Sequence, residues 1–537
     1  MSQTAVVHEL QHLHGDGAAI AVVATPAAAR QSINELEEAN SRSGSDDAPQ
    51  QQQLSLFRLG TIAAAITGVL VASSMTTGLI TVALPTMAKD LEIPEHLLLW
   101  PASIYGLTSG CSLLLAGAIA DYVGSRPVYL VGCLLLSLSM LASGLARTST
   151  QIIVFRGFQG VAASCCLPTA VSLMSEYFPG GRRRNVGFAI MGAGQPLGFS
   201  LGLFLSGFFV DSIGWRYSWY LAAAVSMAVF VVAIWALPRK KKRADVRVSW
   251  HGLFRQLDVV GAGMASACLG ILSYVLAMIS DGPSQIKQGR NIALLCVAGA
   301  LLPTFIFWMD LRTKKNMTAL IPNALWKKTA FSTICVMVFF TWAVLNAVNF
   351  YSSLFFQDVQ SLPALQTSLR FLPNAISGII LSIGTGMILH KFSAYWIVLA
   401  ASVISALSPM LFAIAEPTWS YWYAQFWAML LSAVAVDVLF VVSTLVITNI
   451  FPPSTQALAG AVFNTVAQFG GAVGLAVMAV ISSNVTEQSD YAVKTSPPAL
   501  LEGYRAAFWA CFAAMILSVG IGCAGLRDVG KFGVKVE

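Results

Sequence analysis

One carboxylate lies where proton exchange would suit it. Asp437 falls in Ser432-Ala-Val-Ala-Val-Asp437-Val-Leu-Phe, near the middle of a long apolar run. A charged carboxylate among apolar side chains is costly. The group is therefore expected either to exchange a proton or to stay neutral and hydrogen-bonded to a neighbouring helix. Arg156 is the corresponding base, about five residues inside another apolar run. A guanidinium at such depth costs about 2.5–3.5 kcal/mol on insertion scales. It must find partners, face a cavity or snorkel to an interface. Gln159 stands at i+3 and shares its helix face.

Uncharged polar residues interrupt other apolar runs: Gln195, Asn346, Asn349, Gln357, Asn464 and Gln468. Asn346 and Asn349 are i, i+3 partners, and Asn464 and Gln468 are i, i+4 partners. Each needs a partner or water. Helix-to-helix glue worth about 0.6 kcal/mol per bond is the plain reading. Gly194, Gly198 and Gly202 form a stripe that lets two helices approach, and Pro196 beside it removes a backbone donor. The stripe is expected to pack on a run carrying Gly470 and Gly474.

Composition says what must hold these residues. Of 537 residues, 56% are hydrophobic and only 11% charged; average soluble domains are roughly 25% charged. A polytopic helical membrane protein is the expectation. The nine cysteines all fall in apolar runs without CxxC spacing and read as packing residues. No P-loop, catalytic triad, metal cluster or dinucleotide fingerprint is visible, so neither enzyme activity nor a cofactor is expected, and the +7 net charge does not point to nucleic acid.

Residues 1–57 read as a disordered polar tail. Fourteen apolar runs follow, from about 60–84 to about 506–526, including runs near 258–280, 291–309, 368–389 and 421–449. They divide into a six-helix half (58–237), a linker with two extra spans (238–328) and a second six-helix half (329–526). A short tail, 527–537, ends the chain. Basic residues crowd into segments on one side, including Arg239 to Arg243. The positive-inside rule then puts both termini in the cytoplasm. Asn484-Val485-Thr486 falls in an expected outer loop, where Asn484 is a candidate for N-glycosylation. Weak internal similarity, Gly117–Gly124 against Gly386–Ser393 and Gly194–Gly198 against Gly470–Gly474, suggests two related halves, as in many secondary transporters.

These motifs resemble the major facilitator superfamily, in particular its fourteen-span drug:proton antiporter branch. GAIADYVGSRP, from Gly117 to Pro127, is similar to the cytoplasmic signature GxxxDxxGRKP. Arg156, Gln159 and Gly160 match RxxQG of the fourth span, and Gly194 to Gly202 resembles the antiporter signature of the fifth. Trp215-Arg216 with Trp219-Tyr220 matches the start of the sixth. Gly194-Gln-Pro-Leu-Gly-Phe199, with Phe451-Pro452 and Gln456, is similar to the fungal aminotriazole-resistance subgroup. One departure stands out: Thr76 occupies the position of the branch's first-span Asp.

The resemblance implies a major facilitator fold of six, two and six helices. It implies a cytoplasmic gate at Gly117, Asp121, Gly124, Arg126 and Glu176, a leak-sealing role for the Gly194–Gly202 stripe with Pro196, and a part for Arg156 in substrate or proton handling. Gln159, Gln195, Asn346, Asn349, Asn464 and Gln468 are the expected cavity residues, and Asp437 with Arg156 the expected proton-coupling pair. The expected function is export of a small organic compound in exchange for protons, by a monomer in the plasma membrane or else the vacuolar membrane. An uncoupled facilitator of a small neutral solute such as borate or ammonia is the alternative, favoured by Thr76. Small molecule, protons and bilayer are the expected partners.

Overall fold

The computed structural model describes residues 56–94, 97–178, 182–238, 258–279, 287–315, 317, 323–388, 392–451 and 453–527. Residues 1–55, Arg239 to Arg243 and 528–537 lie outside them, as do 389–391 within Gly386–Ser393 and the side chain of Asp121.

Among the described residues the regular elements are helices. The first half contains α1 (Leu56–Asp90), α2 (Trp100–Val123), α3 (Ser125–Leu145), α4 (Ser149–Tyr177), α5 (Arg182–Ser212) and α6 (Trp215–Ala236). Then come α7 (Val259–Ile279) and α8 (Gly289–Lys314). The second half contains α9 (Thr329–Leu354), continued by a π-helical turn (Phe355–Val359), then α10 (Ala364–Arg370), α11 (Leu372–Ile388), α12 (Ala394–Ile414), α13 (Gln425–Ser432), α14 (Val434–Ile450), α15 (Pro453–Gln488) and α16 (Pro497–Gly525). Twelve helical segments among the described residues are long and apolar enough to cross a membrane; α7 and α11, which fill the runs expected at 258–280 and 368–389, are outside that twelve.

Local chemistry sets the boundaries. A single residue, Gly124, separates α2 from α3 at φ 105°, a conformation that favours glycine. Arg126 then donates from Nε to Leu237 O at 3.0 Å and from Nη2 to Ile234 O at 3.4 Å. A cation thus answers the exposed carbonyls that end α6. Thr148 caps α4 by accepting from Gln151 N.

The glycine stripes pack within their own halves, which corrects the expected α5–α15 contact. A Cβ at Gly198 would lie 2.3 Å from Val71 O, and one at Gly202 2.1 Å from Met75 O, both on α1. Gly194 likewise faces Thr67. In the second half Gly470 faces Phe339 O at 2.3 Å and Gly474 the Ala343 side chain at 2.2 Å, both on α9. The backbones come so close that only glycine fits, and each stripe is consumed by its intra-half neighbour. The pairs α1–α5 and α9–α15 therefore repeat one contact, the physical content of the internal similarity.

Two further expectations are corrected. The twelfth run is broken at Ala433 into α13 and α14. Polar groups compete there for the backbone: Ser405 Oγ donates to Ser432 O at 3.0 Å, and Asn374 donates to the Ser432 hydroxyl. Asn484 lies in the last turns of α15, where its Oδ1 accepts from Gln488 Nε2, and not in a loop. The helical register simply runs on through Ser-Ser-Asn-Val-Thr-Glu-Gln.

The α7–α8 hairpin is fixed by Asp258, which accepts from Gly261 N at 2.8 Å and Trp308 Nε1 at 2.9 Å and lies 3.7 Å from Arg312. Helix α7 touches both α2 and α15, one from each half.

Candidate functional site

Arg156 does not snorkel. Its side chain is fully buried among α1, α2, α4 and α6. Nε donates to Pro101 O at 2.9 Å, and Nη1 donates to Thr76 Oγ1 at 3.1 Å and Gln159 Oε1 at 2.9 Å. Gln159 passes the network on, donating to Ser143 Oγ at 2.7 Å and Ser139 O at 3.2 Å. The Tyr105 ring lies 4.9 Å and the Trp219 ring 5.8 Å from the guanidinium carbon, within cation–π range. Tyr105 is itself held by Ser73 at 2.6 Å. Nη2 has no hydrogen-bond partner. Every partner of this cation among the described residues is neutral.

Asp437 occupies the first turn of α14, just past the break in the twelfth run. Transporters use such discontinuities to build binding sites near the membrane midplane. Among the described residues its Oδ2 is buried and without a hydrogen-bond partner, while the residue keeps partial exposure. The carboxyl points inward. A Cβ built at Gly378 of α11 would lie 3.1 Å from Asp437 Oδ2 and 3.6 Å from Pro196 Cβ of α5. An acid of α14 and the proline of the α5 glycine motif thus both face Gly378.

The halves are also joined where α1, α5 and α9 end. Asp211 Oδ2 accepts from Leu365 N at 2.7 Å and Oδ1 from Ala364 N at 3.2 Å. Ser353 Oγ donates to Thr81 O at 2.6 Å, and Gln357 Nε2 donates to Val82 O at 3.1 Å. Gln357 sits in the π-helical turn, a distortion frequent at functional sites.

The polar set disperses. Asn346 bonds back to Trp342 O at 2.9 Å and abuts Gly471. Asn464 bonds back to Gly460 O at 2.9 Å. Asn349 is buried with Oδ1 unpartnered. Gln468 lies against Gly106 and Gly110 of α2, at a contact between the halves. Gln195 is partly exposed beside Pro196, and Glu176 is exposed at the end of α4. The structure bonds Arg156 to Gln159 and brings Asp437 and Pro196 each against Gly378; it forms no single cluster of all the expected residues.

Sequence reasoning missed four positions. Asp90 accepts from Trp215 Nε1 at 2.9 Å and pairs with Arg216, which explains the Trp-Arg motif as a clamp on the end of α1. Asp211 and Ser353 lie at helix ends, where no periodicity marks them. Gly378 is one glycine among 43.

A family model described as Major Facilitator Superfamily matches residues 66–475. The chain belongs to that superfamily. A relative named MFS-type transporter 1, from Pyricularia oryzae, is 39% identical, covering 92% of this chain and 88% of its own. The low affinity ammonium transporter of Saccharomyces cerevisiae is 27% identical over 80% of this chain and 78% of its own. The efflux pump terJ of Aspergillus terreus is 23% identical over 82% of each. Among solved structures, an inward-facing, unoccupied bacterial homologue of the lysosomal transporter Spinster aligns with a TM-score of 0.59 at 13% identity, covering 89% of this chain and 98% of that one. This likeness is one of fold. As a superfamily member the chain is a multi-pass membrane transporter, a class whose members are not enzymes in general.

Proposed function

We propose that this transporter exports a small organic compound in exchange for protons by alternating access. It has fourteen spans, α7 and α11 included, with both termini in the cytoplasm, and acts as a monomer in the plasma membrane. The observation that carries the reading is Asp437. It is a carboxyl with one oxygen buried and unpartnered among the described residues, in the first turn past the break in the twelfth run and facing Gly378, which also faces Pro196 of α5. In the cycle, the outward state protonates Asp437 as the compound leaves. The inward state releases the proton and takes up the next compound. In the inward-facing state of this cycle the Asp211, Ser353 and Gln357 contacts close the outer end. Arg156 holds the first-half core in register rather than carrying the proton, because its partners are neutral. The efflux pump terJ supports the direction of transport.

Thr76 favours a second reading, an uncoupled facilitator of a small neutral solute. A protonophore separates the two in a strain lacking its own pumps. The antiporter stops concentrating compounds outside the cell, whereas the facilitator is unaffected.

A further inference from the structure

Three helices converge at Gly378, a position with no side chain: α11 itself, α14 through Asp437 and α5 through Pro196. Gly378 faces both Asp437 and Pro196. With a methyl group there, Oδ2 would have to give way by a few tenths of an ångström, and the Pro196 ring carbons, at 3.6 and 3.8 Å, would come into contact. The α11 backbone is therefore the floor on which the carboxyl and the proline ring rest. Pro196 leaves no N–H to satisfy the carboxylate, and Gly378 offers only main chain already committed to its helix.

Among the described residues of the surrounding helices no compensating charge is supplied. Helices α9, α11 and α12 contain no Asp, Glu, Lys, Arg or His, and α13 and α14 contain only Asp437. On α5 such residues are confined to the ends, Arg182 to Arg184 and Asp211, and on α15 to Glu487 near its end. A negative charge at Oδ2 is thus uncompensated while α5 and α11 stay packed. The neutral acid has no such conflict.

We infer that Gly378 and Pro196 are positioning residues that tie the protonation of Asp437 to the α5–α11 contact: the charged form loosens this contact between halves, and the neutral form lets it close. The inference rests on the proton-exchanging role of Asp437 and adds the mechanical link, which the carboxyl alone does not supply.

Hydrogen–deuterium exchange of the full-length, detergent-purified transporter, with no ligand added, tests it across pH 5.5–8.5. In the wild type, amides of 193–205 and 374–384 should exchange faster as pH rises, after correction for intrinsic rates. Asp437→Asn should hold the slow pattern at every pH. Gly378→Ala should move the midpoint by about one pH unit, a tenfold change in proton concentration, or abolish the response, and Pro196→Ala should blunt it. Gly384→Ala, on the same helix with nothing within 4 Å of its added Cβ, should respond as the wild type does. A wild-type response in both Gly378→Ala and Pro196→Ala, or an equal disturbance by Gly384→Ala, overturns the link. A pH response that survives in Asp437→Asn overturns the role of Asp437 itself, a separate failure.

Discussion

Arg156 donates to the hydroxyl of Thr76 at 3.1 Å, so a buried cation of α4 is answered from α1 by a neutral oxygen. The branch that this chain resembles has an acid at that position. The difference removes one charge from the first half, and Arg156 is left with neutral partners among the described residues.

A counter-charge at position 76 should therefore help. Thr76→Asp is expected to raise the thermal unfolding midpoint in detergent, because the guanidinium is already buried and gains a partner. Thr76→Val should lower it, since one hydrogen bond worth about 1 kcal/mol is lost. A lower midpoint for Thr76→Asp than for Thr76→Val would contradict the geometry.

Asp211 should act as a latch. Its carboxylate holds two main-chain N–H groups of α10, and hydrogen bonds to charged groups contribute about 1.5–3 kcal/mol each. Asp211→Ala should enlarge the outward-open population at least about tenfold. A cysteine placed at Thr81, whose carbonyl takes part in the same seal, reports this through its labelling by an impermeant maleimide added outside. The rate should rise when Asp211 is removed and stay low when it is kept.

Glycines of α5 should differ sharply. Gly198→Ala forces a methyl to within 2.3 Å of Val71 O, and overpacking of this kind costs about 1–3 kcal/mol. Gly192→Ala meets nothing within 4 Å and should be neutral or stabilising by about 0.5–1 kcal/mol, since alanine favours a helix. Unfolding midpoints of the two variants, measured side by side, check the contrast.

Much of this was legible from residue types. Long apolar runs mark the helices because backbone groups in lipid must be satisfied locally. The i, i+3 spacing of Arg156 and Gln159 puts them on one face, and they are bonded there at 2.9 Å. The one-glycine turn at Gly124 follows from its φ. What spacing could not tell is which neighbour a small-residue stripe meets: Gly198 fits α1 and α15 equally well on paper, and only the bundle decides. Asp211 was invisible because an acid at a helix end normally faces water. Gly378 was invisible because its meaning lies in what stands opposite it. The break at Ala433 depends on Ser405 and Asn374, which come from other helices.

The central claim is that Asp437 carries the coupling proton. Uptake into everted vesicles under an imposed pH gradient tests it most directly, with a compound selected by a screen in a pump-deficient strain. Wild-type vesicles should accumulate the compound when the lumen is acidic, and Asp437→Asn should reduce this to equilibration alone. Undiminished, gradient-dependent accumulation by Asp437→Asn would contradict the account.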